Sequence, residues 1–323
     1  MLERFPVARS DFDGPVLITG AGGCIGSWVL ALLRREGVEV VAYDLSDDRR
    51  RPRLLMDEAE LARVVWRTGD IADSAAVAAV VAEHRVRAII HLAALQVPFC
   101  KADPVAGARA NVVGTVNVLE AARGQGLKRV AYASSIAAVS FLPDAPWLKT
   151  LYGAYKLANE LTARVYHQDW GTPSVGIRPG VVYGVGRDQG LTSKTTIAIL
   201  AAAAGRRYTV PFTGAVSALH AGEVAAAFIR AVAEERDEAV VFDLNGRATS
   251  VAEWLDILRA IAPGAELAMD GAALPFPADL SDAPIERYLG DYGPVPLEDG
   301  IRGTYDAFRQ LLARRVLSPD AVV

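Results

Sequence analysis

Apolar positions along the first half of this chain switch between two periods. Short β-branched and aliphatic runs at residues 15–19, 38–43, 88–92, 129–133 and 174–178 read as buried strands. Between the first two, Ile25, Val29, Leu32 and Leu33 fall at i, i+4, i+7 and i+8, one face of a helix that Gly37 ends. Residues 111–122 and 151–170 carry further helical patterns, and 240–244 form a late strand. Strands alternating with helices predict an α/β fold, a doubly wound parallel sheet with crossover helices. Two stretches break the alternation, residues 184–216 and a proline-rich segment from 263 to 296.

Composition narrows the picture. The 323 residues are 52% hydrophobic and 22% charged, too apolar for disorder and ample for a core. A net charge of −4 gives no basic field for nucleic acid, and only Arg49, Arg50, Arg51 and Arg53 cluster. Two cysteines, Cys24 and Cys100, are too few for a disulfide framework and fit no metal-ligand spacing, so a reducing, cytoplasmic setting without a metal is expected. No secretory leader is visible at the N-terminus. Residues 16–33 lack charge, but Gly20, Gly22, Gly23 and Gly26 lie among them, which argues against a membrane span.

Those glycines carry the first chemistry. Thr19-Gly20-Ala21-Gly22-Gly23-Cys24-Ile25-Gly26 links the first strand to the first helix. Glycines there let the backbone turn tightly and approach a pyrophosphate, whose charge the helix N-terminus stabilises. Asp44 ends the second strand, where a carboxylate accepts hydrogen bonds from the adenosine ribose hydroxyls and repels a 2′-phosphate. A Rossmann-type domain that binds NAD rather than NADP is therefore expected. Asp70 and Ile71 would face the adenine, although Asp70 or Asp73 would equally serve as a helix cap.

Tyr152 and Lys156 stand at i and i+4 in a helical pattern, on one face and one turn apart. An adjacent ammonium lowers a phenol's pKa, so Tyr152 would take a proton from an alcohol, or return one, as hydride moves. Ser134 and Ser135 end the strand before this helix, where a hydroxyl can orient the substrate oxygen.

Together these residues resemble the extended short-chain dehydrogenases/reductases, the NAD-dependent epimerase/dehydratase family. The resemblance runs from Val16 to about Ala313. It includes Thr19-Gly20-x-x-Gly23-x-x-Gly26, Asp70-Ile71, His91-Leu92-Ala93-Ala94, Asn111-x-x-Gly114-Thr115, Ser134-Ser135, Tyr152-x-x-x-Lys156 and Arg178-Pro179-Gly180-x-Val182-Tyr183-Gly184. It implies a catalytic set of Ser135, Tyr152 and Lys156, with Asn111 supporting the active-site helix. Gly20, Gly23, Cys24, Ile25, Gly26, Asp44, Asp70, Ile71, Leu92, Ala93, Ala94, Pro179 and Val182 would line the cofactor with Tyr152 and Lys156. It also implies a homodimer through helices near residues 105–122 and 151–170, where Ala106, Ala110, Ala154 and Ala158 would permit close approach.

On this reading residues 1–183 form the NAD-binding domain, to which 217–262 return. Residues 184–216 and 263–313 make a small discontinuous C-terminal substrate lobe. Dehydratases of the family carry Asp and Glu after the catalytic hydroxyl, where this chain has Ile136 and Ala137. Its nucleotide-sugar epimerases usually place Asn three residues after the sixth-strand arginine, here Val181, and an arginine near the stretch 214–220, which here has no basic side chain other than His220. Arg187, Lys194, Arg206, Arg207 and Arg287 remain available for a diphosphate. The expected activity is thus an NAD-dependent oxidation of a secondary alcohol, or reduction of a carbonyl, in a small polyhydroxy substrate such as a sugar or sugar acid. The alternative is an epimerase that retains NAD. A sensor without turnover is disfavoured because Ser135, Tyr152 and Lys156 are all present. Gln96, Ser134, Ile136, Arg187, Thr192 and Ser193 are candidate substrate contacts. His91 is a further candidate but reads better as a packed strand end, and His220 as structural.

Overall fold

Val, Ile and Leu at successive positions of the strands put both faces of the sheet in apolar surroundings, as a parallel sheet requires. The computed structural model describes residues 1–321. Its main sheet uses β1 (Val16–Thr19), β2 (Val40–Asp44), β3 (Val65–Thr68), β4 (Ala88–His91), β5 (Val130–Ala133) and β6 (Ser174–Pro179). Further along the chain come β7 (Val182–Tyr183), β8 (Tyr208–Val210), β9 (Ala215–His220), β10 (Ala239–Leu244), β11 (Arg247–Ser250) and β12 (Leu267–Met269). The seven-stranded sheet runs β10-β6-β5-β4-β1-β2-β3, and every pairing in it is parallel. Strand order reverses between β1 and β4, so a crevice opens at the carboxyl ends of those strands.

Alternation along β1 shows how the faces divide. Val16 and Ile18 join a core with Trp28, Val29, Leu32 and Leu33, while Leu17 joins Val41, Tyr43, Ile89 and Val118 on the other side. Helix Cys24–Arg35 packs against Ala221–Ala231 on the first face, and Ser74–Glu83 against Gly114–Gly124 on the second.

The pattern expected over 111–122 is realised differently at its start. Residues Arg109–Val113 form a π-type turn and the regular helix runs Gly114–Gly124. The Asn111 side chain donates to the carbonyls of Gly107 and Leu95, at 2.9 and 3.1 Å, and its own carbonyl accepts from Asn159 and Thr115. These bonds hold a widened turn that hydrophobic periodicity does not encode. Helix Leu151–Trp170 matches the expected range, capped by Thr150, whose hydroxyl accepts from the Gly153 amide, and ended by Gly171 at φ +63°.

The two stretches that break the alternation meet in space. Strands β8 and β12 pair in parallel, and helix Leu297–Ala313 packs on helix Lys194–Ala203. Strand β9 pairs in parallel with β7 and antiparallel with β11, in a separate three-stranded sheet. Among the described residues, no helix is long and apolar enough to cross a membrane.

Candidate active site

Gly20 takes φ +69°, and a Cβ built there would come within 2.6 Å of the Ala93 amide nitrogen. One at Gly26 would lie 2.3 Å from the Gly20 carbonyl. Both positions are therefore closed to side chains, and the chain folds back onto the first turn of helix Cys24–Arg35. That turn carries no acidic residue, so its N-terminus presents an uncompensated positive end to the crevice. A cradle of bare backbone at a helix N-terminus fits a dinucleotide pyrophosphate.

Asp44 closes the other side of this loop. Its Oδ2 accepts from the Gly22 amide at 2.9 Å and its Oδ1 from Leu45 at 2.7 Å. The arginine cluster beside it supplies no free cation for a 2′-phosphate, because each member has a carboxylate partner. Arg49 pairs with Asp47, Arg50 with Asp48, Arg53 with Glu58, and Arg51 reaches across to Asp188 at 2.7 Å. Arg51 also donates to the Gly22 carbonyl, so it straps the segment after β7 onto the glycine loop. Asp73, not Asp70, caps helix Ser74–Glu83, which leaves Asp70 and Ile71 on the wall of the crevice.

Beneath that wall lies a buried polar relay. His91 Nδ1 lies 2.7 Å from Thr19 Oγ1 and Nε2 lies 3.1 Å from Thr115 Oγ1. Thr19 Oγ1 in turn accepts from the amides of Leu92 and Ala93. Burial, and secondarily the charge of Lys156, pushes His91 down to about 3, so it is neutral. Both ring nitrogens are engaged, so His91 is not a substrate contact.

Ser135, Tyr152 and Lys156 come together at the ends of β5 and helix Leu151–Trp170, and all three line one cavity of about 700 Å³. Ser135 Oγ accepts from the Ala137 amide at 3.1 Å. Lys156 Nζ donates to the Ala133 carbonyl at 2.7 Å and lies 5.5 Å from the centre of the Tyr152 ring. Burial draws Lys156 down to about 8. Tyr152 departs from the expectation that Lys156 lowers it: burial pushes the phenol up to about 12, and the opposing pulls come from Ser135 and Arg187. The desolvation of a phenolate in this pocket outweighs both of those pulls.

The cavity is also lined by Gly20, Gly23, Cys24, Ile25, Gly26, Asp44, Asp70, Ile71, Leu92, Ala93, Ala94, Pro179 and Val182, and by Gln96, Ser134, Ile136, Arg187 and Thr192. Three candidates stand elsewhere or are committed. Asn111 is buried behind the wall and holds the π-type turn. Ser193 is buried and bonds the Gly190 carbonyl, so Thr192 alone of that pair faces the space. Ser134 gives its proton to Glu160, which Arg178 clamps with two bonds of 2.6 and 2.7 Å. Ala106 and Ala110, named for close approach in a homodimer, contribute to the cavity wall. Sequence reasoning missed Arg51, Asp188 and Phe276 as lining residues. The arginine run signalled Arg51, but nothing local in sequence pairs it with a residue 137 positions away.

The sequence description "NAD dependent epimerase/dehydratase family" matches residues 16–244. The chain belongs to this family. NAD is the cofactor of that family, in keeping with the glycine cradle. A curated relative, the UDP-glucose 4-epimerase of Mycolicibacterium smegmatis, is 34% identical over 182 residues, 53% of this chain and 57% of its own length. The match thus spans little more than half of such relatives. Among solved structures, the UDP-glucose 4-epimerase of Thermus thermophilus in complex with NAD superposes with a TM-score of 0.75 at 26% identity, covering 91% of this chain and 99% of that one. The L-threonine dehydrogenase of Clostridium difficile gives a TM-score of 0.78 at 22% identity over 94% and 99%, a likeness of fold.

Proposed function

We propose that this protein is an NAD-dependent dehydrogenase that moves hydride between the cofactor and a secondary alcohol or carbonyl of a small polyhydroxy substrate. One observation carries the choice of a small substrate. Of the five cations left open for a diphosphate, only Arg187 lines the cavity. Arg206 pairs with Asp320, Arg207 lies near Glu266, and Lys194 and Arg287 do not face the space. A diphosphate needs several cations or oriented amides, and the substrate side offers few.

When bound, NAD supplies the acceptor or donor for the hydride. The chain's own residues handle the proton and the geometry. Ser135 holds the substrate oxygen, and Tyr152 Oη takes the hydroxyl proton in oxidation or donates it in reduction. A phenol held protonated by burial is poised for donation to a carbonyl. Lys156, fixed by the Ala133 carbonyl, anchors the helix face on which Tyr152 stands. Residues 184–216 and 263–313 act as the substrate lobe, reaching the cavity through Thr192 and Phe276. Two chains pair through the helices flanking the site, where Val105, Leu161 and Val165 are exposed at 70%, 52% and 46%.

A second reading, an epimerase that keeps its NAD, is favoured by the Arg51–Asp188 bridge across the glycine loop, which would slow cofactor escape. The test of hydride transfer is Tyr152→Phe. We expect NAD binding within error of the unaltered protein and a turnover rate lower by about 10²–10⁴-fold, measured by NADH absorbance. Unchanged turnover would remove Tyr152 from the chemistry.

A further inference from the structure

Four cations line the cavity, and three are accounted for. Lys156 is bound to the Ala133 carbonyl, Arg51 is paired with Asp188, and Arg109 is exposed to solvent. Arg187 is different. It is largely enclosed, yet no carboxylate lies within ion-pair distance of it among the described residues, and the hydrogen bond of its guanidinium runs from Nη2 to Thr192 Oγ1 at 3.0 Å. Its Nε is buried without a partner. An enclosed guanidinium without a counter-charge is costly, and burial draws its pKa below the ordinary arginine value.

The surroundings of Arg187 make a polar corner. Gly190 takes φ +95°, and a Cβ there would lie 2.3 Å from Gln96 Oε1 and 3.4 Å from Arg187 Nη2. The absent side chain lets Gln96 pack close to Gly190 beside Arg187, and Gln96, Arg187 and Thr192 all line the cavity. Tyr152 lines the same cavity as this corner.

We infer that Arg187 anchors a carboxylate of the substrate, so that the alcohol oxidised at Tyr152 belongs to a hydroxy acid rather than to a neutral polyol. The inference rests on the hydride-transfer reading of the same cavity. A guanidinium meets a carboxylate through parallel N–H···O bonds in a fork geometry, and one enclosed positive charge balances one negative charge. A diphosphate would bring more charge than this corner can neutralise. The cofactor's own pyrophosphate is the competing claimant, because Arg187 also acts on Cys24 at the start of the first helix.

The experiment uses calorimetric binding to the full chain, first of NAD and then of paired probes added to the NAD-saturated protein. The probes are lactate, glycerate and gluconate, each beside its neutral counterpart, propane-1,2-diol, glycerol and glucitol, with UDP as the diphosphate. We expect at least one acid to bind about tenfold or more tightly than its polyol. Arg187→Gln should erase that preference with NAD affinity unchanged, and Arg187→Lys, which keeps the charge and loses the fork, should retain part of it. Four results would each overturn the assignment: no preference for acids in the unaltered protein, a preference that survives in Arg187→Gln, a loss of NAD affinity in its place, or UDP as the one probe bound through Arg187. NADH formation from the same compounds separates this inference from the reading beneath it. Acids that bind through Arg187 without any probe reducing NAD would sink hydride transfer and leave the anchor standing. Neutral polyols oxidised as readily as acids would do the reverse.

Discussion

Thr115 gives its single hydroxyl proton to the Asn111 carbonyl, so it can only accept from His91, which fixes the proton of the imidazole on Nε2. Nδ1 then accepts from Thr19, and Thr19 keeps its lone pairs for the amides of Leu92 and Ala93. One ring thus locks the ends of β1 and β4 and the turn after Pro104–Ala108, all behind the cofactor wall. Sequence could show that a histidine ends the strand; the direction of each proton exists only in three dimensions. This buried neutral histidine has a consequence for stability. Its folded pKa, about 3, lies below the unfolded value of 6.5. Its contribution is therefore complete above about pH 6.5 and is lost as pH falls toward 3. Denaturant unfolding across that window should show stability falling with acid, with a shallower slope in His91→Leu. Equal slopes in the two proteins would refute the buried-neutral assignment.

At the scale of elements, the site depends on how helix Leu151–Trp170 lies against the turn Ile136–Phe141. The helical spacing of Tyr152 and Lys156 was legible in sequence, because two side chains four residues apart must share a face. The closeness of the packing was not. Gly153 lets the helix approach until a Cβ there would sit 2.4 Å from the Ala137 carbonyl, a backbone atom that cannot swing aside. Gly153→Ala should push Tyr152 away from Ser135, lower turnover while NAD binding persists, and cost about 1–3 kcal/mol in unfolding free energy. Unaltered turnover in that variant would mean the helix has slack that this packing denies it. The π-type turn at Arg109–Val113 was likewise hidden, because its cause is a network reaching Asn159 from another helix. Ser193 was misjudged for a related reason: adjacent Thr192 and Ser193 point opposite ways in a short helical turn, and no periodicity in so brief a segment tells which faces the cavity.

For the whole molecule, strand and helix alternation in sequence was enough to predict a doubly wound parallel sheet, since each buried strand and each crossover leaves a local signature. The order in which strands pair, and the meeting of β8 with β12, depend on contacts between distant segments and needed the structure. The same holds for the strap from Arg51 to Asp188, which joins two irregular loops over the glycine cradle. That strap bears on the central question, whether NAD is a co-substrate that leaves or a group that stays. A dehydrogenase must exchange it in every cycle, whereas an epimerase regenerates it in place. The most direct measurement is the NAD and NADH content of the purified protein after denaturation, followed by the NADH balance during turnover. The account predicts little carried-over cofactor, reversible binding of added NAD, and one NADH formed for each alcohol oxidised. Near-stoichiometric NAD retained through purification, with substrate interconverted and no net NADH, would contradict it.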